Sequence, residues 1–298
     1  MLLRLKIFRR LIDLKPWVAL VVIAMSGSAC QRIVEIDIEE RKPRLVVEGR
    51  IELIKEDPRG LQRIHLSTTD AFFSNRETPP ATGAEVVVSD DQGGVFPFGE
   101  TGPGLYEISD LVPTIGTEYT LRIEWQDDVY RSTARLMSVP SIDSLYFEFA
   151  EKSILTDSAG FRATIDFVDP SGIANYYLWE QLVGEENILS PDPGNVVNLI
   201  GKDEFYDGEV ILGYQPNDEV VFDTGQHVMI RQIALSRDDF DYYFAMFEQN
   251  ALGSGNPFSI PPASVRGNVE NLTRPGDVAL GYFEAAEVSV AEAVVPAR

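Results

Sequence analysis

The residue types that most often perform chemistry are scarce and poorly spaced in this sequence. The 298-residue chain contains two histidines, His65 and His227, and a single cysteine, Cys30. Neither histidine belongs to an H-E-x-x-H motif, so a zinc site would have to be assembled from scattered acids. No serine lies in the G-x-S-x-G sequence of a nucleophile elbow. The sequence therefore predicts no catalytic residue, no metal site and no cofactor.

Carboxylates are the one abundant reactive group, since the chain holds 47 Asp and Glu residues. The carboxylate pair of a glycosidase is assembled in space and leaves no linear motif, so a carboxylate-based hydrolase stays open as a third candidate function. The acids that could be nominated for it, without any motif to select them, are Asp166, Asp169, Glu180 and Glu204. A buried carboxylate pair with strongly raised pKa inside a cleft would favour this function.

Two acidic segments could hold calcium, a hard cation that prefers oxygen ligands. They are Asp90-Asp91 and the group formed by Asp203-Glu204 with Asp207-Gly208. Neither segment matches the D-x-[DN]-x-[DN]-G pattern of a calcium loop, and Asp and Gly also favour tight turns. We therefore interpret both segments as turn formers.

The N-terminus has the three zones of a signal peptide. An apolar run of nine residues, 17–25, follows a basic segment and precedes the small residues 26–29. The basic residues are Arg4, Lys6, Arg9, Arg10 and Lys15. The apolar run is far shorter than the roughly 20 residues of a membrane-spanning helix, and its length is typical of a signal-peptide core. We expect residues 1–29 to be removed on export.

The residues before Cys30 resemble the lipobox of bacterial lipoproteins, with Gly27 at the position where Leu is usual. A lone cysteine in an exported chain indicates a special use of its thiol. The resemblance implies that Cys30 carries diacylglycerol and an acylated amine, and two or more acyl chains anchor a protein durably. Residues 30–44 would then be a tether between the outer-membrane lipid and the body.

The mature chain is strongly acidic. Removal of residues 1–29, which contain five bases and one acid, leaves 20 bases against 46 acids, a formal charge of −26. This balance argues against nucleic acid as a partner, because phosphate binding needs clusters of Lys and Arg. The acidity keeps an exposed protein soluble, or it provides an acidic face for a cation or a basic partner loop.

Short strands at regular spacing begin at Leu45, and this pattern is typical of a β-sandwich. We predict a mainly β chain, with an Ig-like or transthyretin-like sandwich at 45–140 and a second β-rich domain at 141–298. Residues 118–125 and 129–136 read as a hairpin, and 278–294 read as a strand that returns to the second sheet.

One amphipathic helix is predicted near 237–250. Ser236 stands at its N-cap with Asp239 three residues later, a spacing close to that of a capping box. An apolar stripe at helical spacing follows, made of Phe240, Tyr243, Phe244 and Phe247.

The order of several segments is recognisable across about residues 30–292. These segments are LVVEGRI, GAEVVVSDDQGG, GPGLYEISDL, GTEYTLRIEW, VPSIDSLYFEF and ALGYFEAAEVS. The series resembles a domain-of-unknown-function family of outer-membrane lipoproteins that are often encoded beside SusC-like TonB-dependent receptors. The resemblance implies an outer-membrane location and a TonB-dependent β-barrel receptor as partner, and it supplies no catalytic residue.

Pairs of adjacent aromatic residues are the best candidates for contact with a partner or ligand. The sequence predicts a long loop at 70–82 that contains Phe72-Phe73, and Tyr176-Tyr177 and Phe205-Tyr206 are comparable pairs. In a strand, one member of such a pair must point away from the core, and exposed aromatics rimmed by polar groups often mark binding sites. The alternative is packing of these rings beneath a loop.

The expected function is that of a non-enzymatic outer-membrane lipoprotein, which docks on a TonB-dependent transporter or captures its cargo. A stand-alone surface module that binds glycan or peptide is the alternative, and the hydrolase is the third candidate. Whether the body faces the cell surface or the periplasm stays open.

Overall fold

The computed structural model describes residues 43–70, 78–153, 158–184, 186–188, 199–252 and 265–298. These residues belong to one compact unit, Lys42–Arg298. They form sixteen strands and one helix, so the predicted mainly β class is confirmed. Among them, no helix is long and apolar enough to cross a membrane.

The strands of the first half of the chain are β1 (Leu45–Ile54), β2 (Gln62–Thr68), β3 (Glu85–Asp90), β4 (Val95–Gly102), β5 (Leu105–Ile108), β6 (Glu118–Trp125), β7 (Asp128–Arg135) and β8 (Ile142–Ala150). The second half contains β9 (Gly160–Val168), β10 (Tyr176–Val183), β11 (Glu186–Asn187), β12 (Ile200–Lys202), β13 (Val210–Tyr214), β14 (His227–Leu235), the helix α1 (Arg237–Leu252), β15 (Glu270–Asn271) and β16 (Leu280–Val294).

Alternating apolar residues explain why these segments form half-buried strands. In β6, Tyr119, Leu121 and Ile123 are buried on one face while the residues between them reach the other face. The predicted hairpin is confirmed, because β6 pairs antiparallel with β7 and Trp125 lies opposite Asp128.

Most strands follow one continuous hydrogen-bonded path. Its order is β11-β10-β14-β16-β1-β2-β5-β4-β3-β6-β7-β15, with β12 added beside β10, and β13-β9-β8 form a separate sheet. The long strand β16 runs parallel to β1 on one side and antiparallel to β14 on the other. The closing strand therefore pairs with β1 of the first half as well as with β14 of the second half, not with the second half alone.

Most buried side chains belong to one of two clusters, and the chain passes from the first cluster to the second near residue 137. The first is drawn mostly from 45–136, and the second spans 139–295. The sandwich assignment for 45–140 and the domain boundary after it stay predictions.

An ion pair fixes the loop around β15 against the β6–β7 turn. Arg274 Nε and Nη2 both donate hydrogen bonds to the buried carboxylate of Asp128. The Nε atom lies 2.8 Å from Oδ1. The hydrogen bond from Arg274 lowers the pKa of Asp128, and burial beside this carboxylate raises the pKa of Tyr130 to about 12.

We expect the free energy of unfolding of Asp128→Asn to fall less steeply than that of the parent as the pH is lowered. A carboxyl whose folded pKa lies below its unfolded value of about 3.9 stabilises the fold above that value, and the contribution is lost as pH falls through the folded pKa. Urea unfolding between pH 7 and pH 3 measures this, with the exposed neighbour changed by Asp127→Asn as control. Parallel pH profiles for the parent and Asp128→Asn would contradict the expectation.

Candidate functional site

The helix α1 is positioned by its N-cap and by its apolar stripe. Ser236 Oγ accepts a hydrogen bond from Asp239 N at 3.1 Å, and Asp239 Oδ2 accepts one from Ser236 N at 2.8 Å. This reciprocal pair is the predicted capping box, with Asp in the third position. Phe240, Tyr243 and Phe247 then pack on a buried cluster that includes Leu178, Ile233 and Val288. The helix therefore begins where predicted and covers one face of β10, β14 and β16.

A cleft of about 330 Å³ lies where the helix begins. Its lining residues are Ala174, Tyr176, Lys202, Asp203, Glu204, Arg237, Phe240 and Asp241. The rings of Tyr176 and Phe240 meet at 5.3 Å between centroids. Lys202 pairs with Glu204, and Arg237 lies 3.9 Å from Asp241. The cleft thus combines two aromatic rings with charges of both signs, a composition suited to a small polar ligand.

The two tyrosines of the predicted contact pair lie on opposite faces of β10. Tyr176 is half-buried and lines the cleft. Tyr177 is fully buried, its hydroxyl donates to Asp169, and its ring lies 5.5 Å from that of Trp179. The prediction that Tyr177 contacts a partner is therefore corrected: it is a core residue, because strand alternation turns it inward. Of the third doublet, Phe205 is 89% exposed.

Cys30, Phe72 and Phe73 lie outside the described residues, so their predicted roles stay predictions.

The four acids nominated for hydrolysis do not converge on one place. Asp166 accepts hydrogen bonds from Ser144 Oγ at 2.6 Å and from Gly213 N at 2.8 Å, between β9 and its neighbours. Glu180 belongs to an ionic network beneath the helix, and Glu204 lies in the cleft. The interpretation of these acids as a catalytic group has no support in the geometry.

Asp169 instead joins Asp203 and Asp207. Each of these three carboxylates offers an oxygen within 4.8 Å of the others. Asp169 follows β9, whereas Asp203 and Asp207 lie in the loop between β12 and β13. Asp203 and Asp207 were interpreted from the sequence as turn formers, and Asp169 was nominated only as a hydrolase carboxylate. Its grouping with Asp203 was not predicted, because the two residues are 34 positions apart in the chain.

Backbone amides orient the three carboxylates. Gly208 N donates to Asp169 Oδ2 at 3.1 Å, Gly172 N donates to Asp207 Oδ1 at 2.6 Å, and Asn175 N donates to Asp203 Oδ2 at 2.9 Å. Burial raises the pKa of Asp169, and the charges of Asp203 and Asp207 add to that increase. The other acidic segment forms a turn as predicted, since Asp90 Oδ1 accepts from Gln92 N and Gly94 N.

A largely buried ionic network lies between the helix and the sheet. Its charged members are Arg50, Glu52, Glu180, Arg231 and Glu284. The Tyr243 hydroxyl, from the helix, donates to Glu284 Oε1 at 2.8 Å. Burial raises the pKa of Glu284 in spite of its ion pair with Arg50. These groups hold the helix against the sheet. They thereby also position Phe240, the helix residue whose ring lines the cleft.

Residues 31–292 match the family described as "Domain of unknown function (DUF4249)". The match covers most of the chain, so the chain belongs to that family. A search of curated proteins found no match.

Proposed function

We propose that this member of the DUF4249 family is a non-enzymatic outer-membrane lipoprotein that captures a ligand for a TonB-dependent transporter or docks on the transporter itself. The observation that carries the proposal is the single cysteine, Cys30, placed after a basic segment, nine apolar residues and four small residues. A chain attached to the membrane in this way works close to its surface, where transporters are embedded.

The cleft supports binding in preference to chemistry. Each carboxylate on its wall already has a partner: Glu204 pairs with Lys202, Asp241 approaches Arg237, and Asp203 accepts from Asn175 N. Asp169, whose pKa is raised, is only 2% exposed and does not line the cleft. A general acid must come within hydrogen-bond reach of its substrate, and Asp169 is enclosed by protein.

The composition of the cleft also favours the second candidate, a stand-alone module that binds glycan or peptide. Tyr176 and Phe240 offer ring faces for a sugar or an apolar side chain, and the charged rim offers partners for polar groups. The two candidates differ in whether a β-barrel is needed for binding.

Cys30→Ser should move the protein from the membrane fraction to the soluble fraction. Without the thiol no diacylglycerol can be attached, and Cys30 is the single cysteine of the sequence. Cell fractionation with a high-salt wash measures the distribution, and metabolic labelling with a fatty acid measures acylation. Ser28→Ala, which keeps the cysteine and a small residue before it, is the control. Membrane retention of Cys30→Ser after the wash would overturn the anchor.

Reversal of the two cations of the cleft, Lys202→Glu with Arg237→Glu, should weaken capture of the natural partner at least tenfold. Both side chains are substantially exposed, so the fold should tolerate the change. Affinity purification from solubilised outer membranes measures the partner that is retained. A matched control reverses two exposed cations of the β6–β7 hairpin, Arg122→Glu with Arg131→Glu.

A large β-barrel retained by the parent and the control, but not by the cleft variant, would support the transporter role. Retention of a soluble polymer without a barrel would favour the stand-alone module. Equal capture by all three proteins would contradict a role of the cleft in either function.

A further inference from the structure

We infer that Asp169, Asp203 and Asp207, together with the side-chain oxygen of Asn175, form a calcium-binding site. The three carboxylates come from two loops, 169–175 and 203–208, that are joined by backbone hydrogen bonds at Asp203 N to Asn175 O and at Gly208 N to Asp169 Oδ2. The inference does not depend on the proposed partner, since it concerns a metal ion alone.

The first argument is uncompensated charge. Asp169 is 2% exposed and Asp203 is 6% exposed, and Asp207 completes a group of three acids. Within the described ranges, no Lys, Arg or His nitrogen lies within 4.0 Å of any of the three carboxylates. Buried charges in proteins are normally paired or bound to metal, because removal of an ion from water is costly. A divalent cation would offset the mutual repulsion of these groups.

The second argument is an independent one, from a neutral group. Asn175 is 7% exposed, and its Oδ1 is shielded from solvent and has no hydrogen-bond donor among the residues that the structure describes. Buried carbonyl oxygens are almost always satisfied. Asn175 N lies 2.9 Å from Asp203 Oδ2, so the residue that carries this oxygen is a direct neighbour of the carboxylate group. A cation bound there gives this oxygen the partner that the protein does not supply.

The ligand set selects the ion. All four groups offer oxygen and none offers nitrogen or sulfur, which favours calcium or magnesium over zinc and copper. Calcium takes oxygens at about 2.3 to 2.6 Å, so two of its ligands can stand up to about 5 Å apart. The three carboxylate oxygens lie within 4.8 Å of one another, a separation that a calcium ion can span.

The amide contacts leave room for the ion. Each carboxylate accepts a backbone N–H that fixes its direction, and each keeps lone pairs for a metal. Tyr177 adds a second donor to Asp169. Because Asp207 is exposed, the site opens to solvent on one side, where water can fill the remaining coordination positions.

The test uses the full-length protein, purified in detergent and freed of metal with a chelator. Titration with calcium chloride by calorimetry should show one site per chain, and calcium should raise the melting temperature by several degrees. Terbium, a luminescent substitute for calcium, should emit when the nearby Tyr177 is excited, and excess calcium should quench the emission.

Asp207→Asn removes one charge and keeps an oxygen for Gly172 N, so the fold should persist while affinity for calcium falls at least tenfold. Asp91→Asn, an exposed acid in the β3–β4 turn, removes the same charge elsewhere and should bind calcium like the parent. Absence of heat, thermal shift and terbium emission in the parent would overturn the site. Equal loss in both variants would also overturn it, since it would show a diffuse counterion effect. Tighter binding of magnesium than of calcium would overturn the assignment of the ion.

Discussion

Arg50→Met is expected to destabilise the folded chain by about 3 to 5 kcal/mol, the cost of breaking a buried ion pair by removal of one partner. The guanidinium binds Glu284, lies 3.1 Å from Glu180 Oε1 and lies 3.2 Å from Glu52 Oε1. Without it, Arg231 still pairs with Glu52 and Glu180, but Glu284 loses the cation that it binds. Glu284, the most enclosed of them, would keep only the hydroxyl of Tyr243.

The loss should be partly reversed by a second change. Arg50→Met with Glu284→Leu removes one cation and one anion, and buried ion pairs replaced by apolar residues are often neutral or more stable. Urea unfolding followed by circular dichroism measures all three proteins, and Arg63→Met, a change in the exposed pair of Arg63 with Glu107, is the control. A double variant no more stable than Arg50→Met would show that Glu284 is not what the guanidinium compensates.

The sequence allowed prediction of elements that depend on neighbouring residues. The helix was located because Ser236 and Asp239 form a local cap, and its apolar stripe has a helical period. The β6–β7 hairpin was located because alternation and a short polar turn are also local. The two-fold alternation further required that one of Tyr176 and Tyr177 point inward, but not which one.

The candidate sites depend on register between distant strands, which local pattern does not determine. Arg50 and Glu284 meet because β1 and β16 are parallel neighbours that set these two residues opposite each other. Asp169 reaches Asp203 only through the pairing of the loops after β9 and β12. Buried and less buried side chains alternate over much of β1, and nothing in that local pattern indicates that a helix covers its polar face.

The parallel pairing of β1 with β16 depends on one glycine. Gly281 has a φ of +82°, and a Cβ built on it would lie 2.0 Å from the backbone oxygen of Val47, its partner in β1. No rotamer change can relieve a contact between Cβ and main chain, so the strands themselves would have to separate. The left-handed conformation adds about 1 to 3 kcal/mol for any residue other than glycine.

Gly281→Ala should therefore lower the free energy of unfolding by more than about 2 kcal/mol, and the melting temperature by roughly 5 to 10 °C. Differential scanning calorimetry measures the shift. Gly276→Ala is the matched control and should melt like the parent, because Gly276 lies in the exposed loop just before β16 and no atom of the described residues lies within 4 Å of the new Cβ. Because β16 pairs with both β1 and β14, the loss should appear as one cooperative transition at lower temperature. A first transition confined to one buried cluster, with the other melting as in the parent, would show that β16 does not join the two clusters into one folding unit.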